Sequence, residues 1–151
     1  MLVRLFPANH YEANRNKESV TRVRDIKQTF GLPVMKAMAV GAAADLEALP
    51  GYATVADRIL FDARAPKDAT RPGGLGKPFD WHLLRNLDLT LPFMVSGGLD
   101  AGNVAEALRV TGAGGVDVSS GVETAPGVKN VDKIRTFISA ARVAATSGNQ
   151  L

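Results

Sequence analysis

The chain is 151 residues long, 46% apolar and 22% charged, enough for one domain with its own core. It holds no cysteine and only two histidines, which excludes disulfides, cysteine-ligated metals, a cysteine nucleophile and a multi-histidine metal centre. The net charge is a modest +3, no apolar run approaches the ~20 residues of a membrane span, and no signal peptide opens the sequence, so a soluble, cytoplasmic protein without a membrane partner is expected.

Residues 2–6 read as a first, apolar strand. Val20, Val23, Ile26 and Phe30 then make a helical stripe, stopped by Gly31 and Pro33. This region is basic, with seven Lys/Arg against three Asp/Glu in residues 1–36. No aromatic residue is interleaved with Arg15, Lys17, Arg22, Arg24 and Lys27 for stacking on bases, so a solvated helix face is preferred to a nucleic-acid surface. Residues 34–40 form a second strand, and a short helix near 42–49 is expected to end at Pro50-Gly51. Residues 58–61 are the third strand. The 17 residues between Asp62 and Asp80 are longer than an ordinary connection, and their Gly73-Gly74-Leu75-Gly76-Lys77 run suggests a lid over an anion. Asp80 is placed to cap a helix carrying Leu83, Leu84 and Leu87; Trp81 is expected in the core and His82 exposed. After a strand at 92–95, Asp100 is expected to cap a helix with Val104, Ala105 and Leu108 that ends at Gly112. After a strand at 115–118, Asn130 caps a last helix with Val131, Ile134, Phe137, Ile138 and Ala141, whose small, polar tail past Arg142 is expected to fray.

This strand–helix alternation predicts a parallel sheet with helical crossovers, either an open doubly wound sheet or part of a (β/α)8 barrel. In both, ligands bind at the C-terminal ends of the strands. Asp62 stands at such an end. Desolvation there favours the protonated form that a general acid needs, although a helix cap or an ion pair with Arg64 also fits. Ser96-Gly97-Gly98-Leu99-Asp100 and Ser119-Ser120-Gly121-Val122-Glu123 follow two successive strands, and their amides and hydroxyls suit a phosphate. A nucleotide-binding Gly-x-Gly-x-x-Gly after the first strand is missing.

Four runs occur in order: Leu60-Phe61-Asp62; Gly73-Gly74-Leu75-Gly76 before Phe79-Asp80-Trp81; Leu91-Pro92 before Ser96-Gly97-Gly98-Leu99; and 115–123 with Pro126-Gly127-Val128-Lys129 after it. Over roughly residues 17–143 this set closely resembles the phosphoribosylanthranilate isomerase family of tryptophan biosynthesis. The resemblance implies a (β/α)8 barrel that isomerises N-(5′-phosphoribosyl)anthranilate by an Amadori rearrangement, acting on a phosphorylated small molecule without metal or cofactor. It puts Asp62 on the general acid; Gly97, Gly98, Ser119, Ser120 and Gly121 on the phosphate loops; Asp117 on the substrate-facing acidic position of the last strand; Arg64 among the substrate-binding residues; and 73–76 on the lid.

The family's general base, a cysteine at the end of the first strand, has no counterpart here, nor does its arginine for the anthranilate carboxylate. The resemblance therefore implies a partial (β/α)8 barrel of roughly strands 4 or 5 to 8, with a divergent segment 1–16 containing His10, a barrel part 17–143 and a flexible tail 144–151. A truncated gene, a shifted reading frame or an alternative start is expected, together with impaired activity and with self-association or complementation by the missing barrel half. A phosphate-binding remnant without catalysis, or another phosphate-binding barrel enzyme, are the alternatives.

Overall fold

The computed structural model describes residues 2–5, 19–65 and 78–147. The segment around His10 and the expected lid at 73–76 lie outside them.

Short runs of β-branched and apolar residues give five strands: β1 Leu2–Leu5, β2 Met35–Val40, β3 Arg58–Ala63, β4 Phe93–Val95 and β5 Gly115–Val118. All neighbours pair in parallel in one sheet of order β1-β5-β4-β3-β2, so the chain is an α/β protein. β2 to β5 follow one another without the reversal of a doubly wound sheet. β1 pairs with β5, Val3 opposite Val116, instead of lying beside β2. β5 is largely buried, so the backbone groups along its edge need protein partners, whereas β2 alternates between half-exposed and buried residues and, among the described residues, has no strand on its outer edge.

Helices follow from capped amphipathic runs. α1 (Val20–Phe30) starts at Ser19, whose hydroxyl accepts the Arg22 amide, and ends at left-handed Gly31. Asp57 ties its end to the sheet by accepting from Lys27 Nζ at 2.7 Å and from the Val34 amide at 2.8 Å. The helix expected at 42–49 is instead a 3-10 turn, Ala43–Leu46, followed by α2 (Leu49–Ala53). Pro50 opens α2 instead of ending the preceding helix, because its missing N–H is no loss in a first turn. Asp80 caps only one 3-10 turn, Trp81–Leu84; Arg85 is extended and Asn86 has φ 62°, so Leu87 lies outside it. α3 (Val104–Thr111) has Asn103, not Asp100, at its N-cap and ends at Gly112 as expected. Asn130 caps α4 (Val131–Ser147), its side chain accepting the Lys133 amide at 2.9 Å. α4 continues past Arg142, since Ala144 and Ala145 are strong helix formers.

Residues paired across the sheet share a face, so register sorts the two faces. Met38, Phe61, Val95 and Val116 lie on one face and join a single core with Val23 of α1, Leu49 and Tyr52 of α2, Val104 of α3 and Phe137 of α4. Ala37, Leu60, Met94 and Gly115 lie on the other. Met94 is buried yet takes no part in that core, as this sorting requires. Among the described residues no helix is long and apolar enough to cross a membrane.

Candidate active site

Five parallel strands send their C-terminal ends in one direction, where residues 62–64, 96–100 and 119–123 follow β3, β4 and β5. Asp62 is two residues beyond Leu60, so it projects from the face opposite the helical core, and Asp117 lies on that same face two residues beyond Gly115. Ser96 stands between them. Its amide donates to the Phe61 carbonyl at 2.7 Å, and its hydroxyl donates to Asp117 Oδ2 at 3.2 Å. Asp62 and Ser96 are buried, which suits polar groups that work out of bulk water.

The turn after β4 passes directly over Asp62. Gly97 has φ +86°, and a Cβ there would come within 2.7 Å of Asp62 Oδ1 and overlap the Ala63 backbone. Asn103 then ties the turn down, donating to the Gly98 carbonyl at 2.8 Å and accepting the Asp100 amide at 2.9 Å. Asp100 in return accepts the Gly102 and Asn103 amides.

The turn after β5 is a 3-10 turn, Ser120–Val122, that leads into a hairpin of β6 (Glu123–Ala125) and β7 (Val128–Lys129). A Cβ on Gly121 would overlap the Leu99 carbonyl, so the two glycine-containing loops are packed backbone to backbone. The structure thus brings Asp62, Gly97, Gly98, Asp117, Ser119, Ser120 and Gly121 to one end of the sheet.

Arg64 leaves the same end on the β3–β2 side. Its amide donates to the Val40 carbonyl and its guanidinium pairs with Asp45. Desolvation alone would raise the Asp45 carboxyl, but the Gly41 and Ala42 amides and Arg64 outweigh it and hold the carboxyl below the ordinary aspartate range.

Lys129 sits on this hairpin, which the apolar runs and helical stripes of the sequence do not reveal. Lys129 Nζ donates to the Ser119 carbonyl and hydroxyl, each at 3.0 Å, and to Glu123 Oε1 at 2.6 Å. Pro126-Gly127 was the available signal, since proline followed by a glycine of positive φ marks a tight turn. Asn103 was legible only as a polar residue before a helix.

Residues 17–140 match the family model for N-(5′-phosphoribosyl)anthranilate (PRA) isomerase. The chain is 73% identical over 135 residues to N-(5′-phosphoribosyl)anthranilate isomerase of Bradyrhizobium diazoefficiens, covering 89% of this chain and 60% of that one. It is 75% identical over 125 residues to the Rhodopseudomonas palustris BisB5 enzyme, covering 83% of this chain and 57% of the relative. Among solved structures, phosphoribosylanthranilate isomerase of Thermotoga maritima superposes with a TM-score of 0.71 at 36% identity, over 84% of this chain and 58% of that one. Another, solved in complex with reduced 1-(o-carboxyphenylamino)-1-deoxyribulose 5-phosphate, superposes with a TM-score of 0.66 at 33% identity, over 84% and 56%. The chain thus spans about three fifths of the length of the relatives it matches. It belongs to the N-(5′-phosphoribosyl)anthranilate isomerase family.

Proposed function

We propose that the chain carries the acid and phosphate-binding part of an N-(5′-phosphoribosyl)anthranilate isomerase site, built on a partial (β/α)8 barrel in which β2 to β5 are barrel strands five to eight. The consecutive strand order and the single helical face support the barrel reading. The observation that carries the function is the convergence of buried Asp62 with the Gly97–Gly98 and Ser119–Gly121 turns at one end of the sheet. A relative's complex with a deoxyribulose 5-phosphate supports a phosphorylated ligand there.

In this reading Asp62 donates its proton to the ribose ring oxygen as the C1′–O bond breaks, and the anilino nitrogen lone pair forms the C=N of a Schiff base. A base then takes the C2′ proton, and those electrons pass through C1′ to nitrogen, giving an enolamine that tautomerises to the ketone. Backbone amides of Gly97, Gly98 and Gly121 and the hydroxyls of Ser119 and Ser120 hold the phosphate. Asp117, with its bond from Ser96, faces the sugar, and Arg64 lies at the mouth against Asp45.

The family's base is a cysteine, which these 151 residues lack. A positioned base contributes about 10²–10⁴-fold. We therefore infer that the chain alone binds the phosphorylated ligand but turns over poorly, as a cytoplasmic protein that self-associates or is complemented by the barrel units it does not carry. The test follows loss of phosphoribosylanthranilate fluorescence with the chain alone and with a fragment covering the unmatched part of the Bradyrhizobium relative, each beside Asp62→Asn. Turnover that appears on complementation and vanishes in Asp62→Asn is expected. Turnover indifferent to Asp62→Asn overturns the assignment of the acid, and binding of the reduced 5-phosphate analogue without turnover in any mixture favours a non-catalytic phosphate-binding remnant.

A further inference from the structure

The hairpin after β5 does more than return the chain to α4. Glu123 and Lys129 are register partners across it, so their side chains meet on one side. An ammonium has three N–H donors, and Lys129 spends all three within this corner, on the Ser119 carbonyl, the Ser119 hydroxyl and Glu123 Oε1. Glu123 is itself fixed, its other oxygen accepting the Gly127 amide at 3.0 Å and its carbonyl accepting Lys133 Nζ at 2.7 Å. Lys129 therefore has a rigid base from which to hold Ser119.

Accepting from Lys129 also decides what the Ser119 hydroxyl can offer. One lone pair is taken, and the bond its proton makes to Glu123 Oε1 is long and weak, at 3.5 Å. That long bond leaves the proton available to a better acceptor, on an oxygen already polarised by the Lys129 ammonium, in the loop that the isomerase reading assigns to phosphate. We propose that Lys129 is a positioning residue: it fixes the Ser119 carbonyl and turns the Ser119 hydroxyl into a preset donor for the phosphate, with Glu123 holding the lysine in place. This rests on the phosphate reading above and extends it to the hairpin.

The test measures calorimetric binding of reduced 1-(o-carboxyphenylamino)-1-deoxyribulose 5-phosphate to the full chain. Lys129→Met is expected to weaken binding about tenfold, and Lys129→Arg to recover part of that loss. In a Ser119→Ala background, Lys129→Met is expected to cost less than in the unsubstituted chain, because only the bond to the residue-119 carbonyl is left for the lysine to act through. Full additivity, or unchanged affinity in Lys129→Met, overturns the proposal. A second readout needs no ligand: Lys129→Met should move the backbone amide resonances of Ser119–Val122, while exposed Arg109→Met should not. Unmoved Ser119–Val122 resonances overturn the positioning role. If the unsubstituted chain fails to bind the analogue, the phosphate reading falls and the affinity claim with it, while the amide resonances still decide whether Lys129 sets the loop.

Discussion

Gly97 lies so close over Asp62 that a Cβ on the glycine would stand 2.7 Å from Asp62 Oδ1. The glycine thus serves two ends, since its φ of +86° lets the chain turn after β4 while its bare Cα leaves room for the carboxyl. Gly97→Ala must either move the turn or displace Asp62. The conformational part alone costs about 1–2 kcal/mol, and the overlap with the Ala63 backbone adds to it. The variant should lower the urea midpoint and weaken binding of the reduced 5-phosphate analogue. The matching substitution Gly31→Ala, at φ +61° but with nothing within 4 Å and at the end of α1, should lower the midpoint without touching affinity. Equal loss of affinity in both would separate Gly97 from the site.

Much of this arrangement was legible in the sequence. Parallel strands leave short apolar runs, and helices stop where Gly31 and Gly112 stand, so the five strands and the ends of α1 and α3 could be read directly. Asp62 and the two glycine-containing loops were legible because they follow those runs. The neighbour of β1 was not, because strand order depends on which edge most needs a partner, a tertiary property. The Lys129–Ser119 bonds were hidden for a related reason: they span ten residues and exist only once Pro126-Gly127 folds the hairpin back.

Phe137 and Val143 share α4 and differ in environment. Phe137 is fully buried in the core shared with α3 and the sheet, whereas Val143 is 63% exposed. Phe137→Ala should cost about 3–5 kcal/mol, a large share of the roughly 5–15 kcal/mol that holds a domain together. Val143→Ala should stay within about 0.5 kcal/mol. Denaturant unfolding of the two variants checks this, and comparable losses would contradict the packing of α4 described above.

Phe30 and Leu32 are 67% and 65% exposed at the end of α1, just before β2 at the edge of the sheet. An open strand edge flanked by exposed apolar side chains promotes association. If this edge drives the self-association proposed for the chain, Phe30→Lys with Leu32→Lys should shift sedimentation toward monomer at equal concentration. An unchanged distribution would place the contact elsewhere.

The Glu123–Lys129 pair carries a pH signature whose sign is fixed. The hydrogen bond from Lys129 is the largest influence on the Glu123 carboxyl; with the Gly127 amide it outweighs desolvation and holds the group below its ordinary value. A carboxyl depressed in the folded state stabilises the fold at pH values above its unfolded titration, about 4.3, and loses that contribution as pH falls through the folded value. Asp45 and Asp57 are depressed as well, so acid weakens the whole chain and only a difference isolates Glu123. Glu123→Gln should therefore be less stable than the unsubstituted chain at pH 7, and the gap between their urea midpoints should close as the pH falls below the unfolded titration and through the depressed folded value. A gap that widens in acid would mean the glutamate is held protonated, and that Lys129 is anchored by something other than its charge.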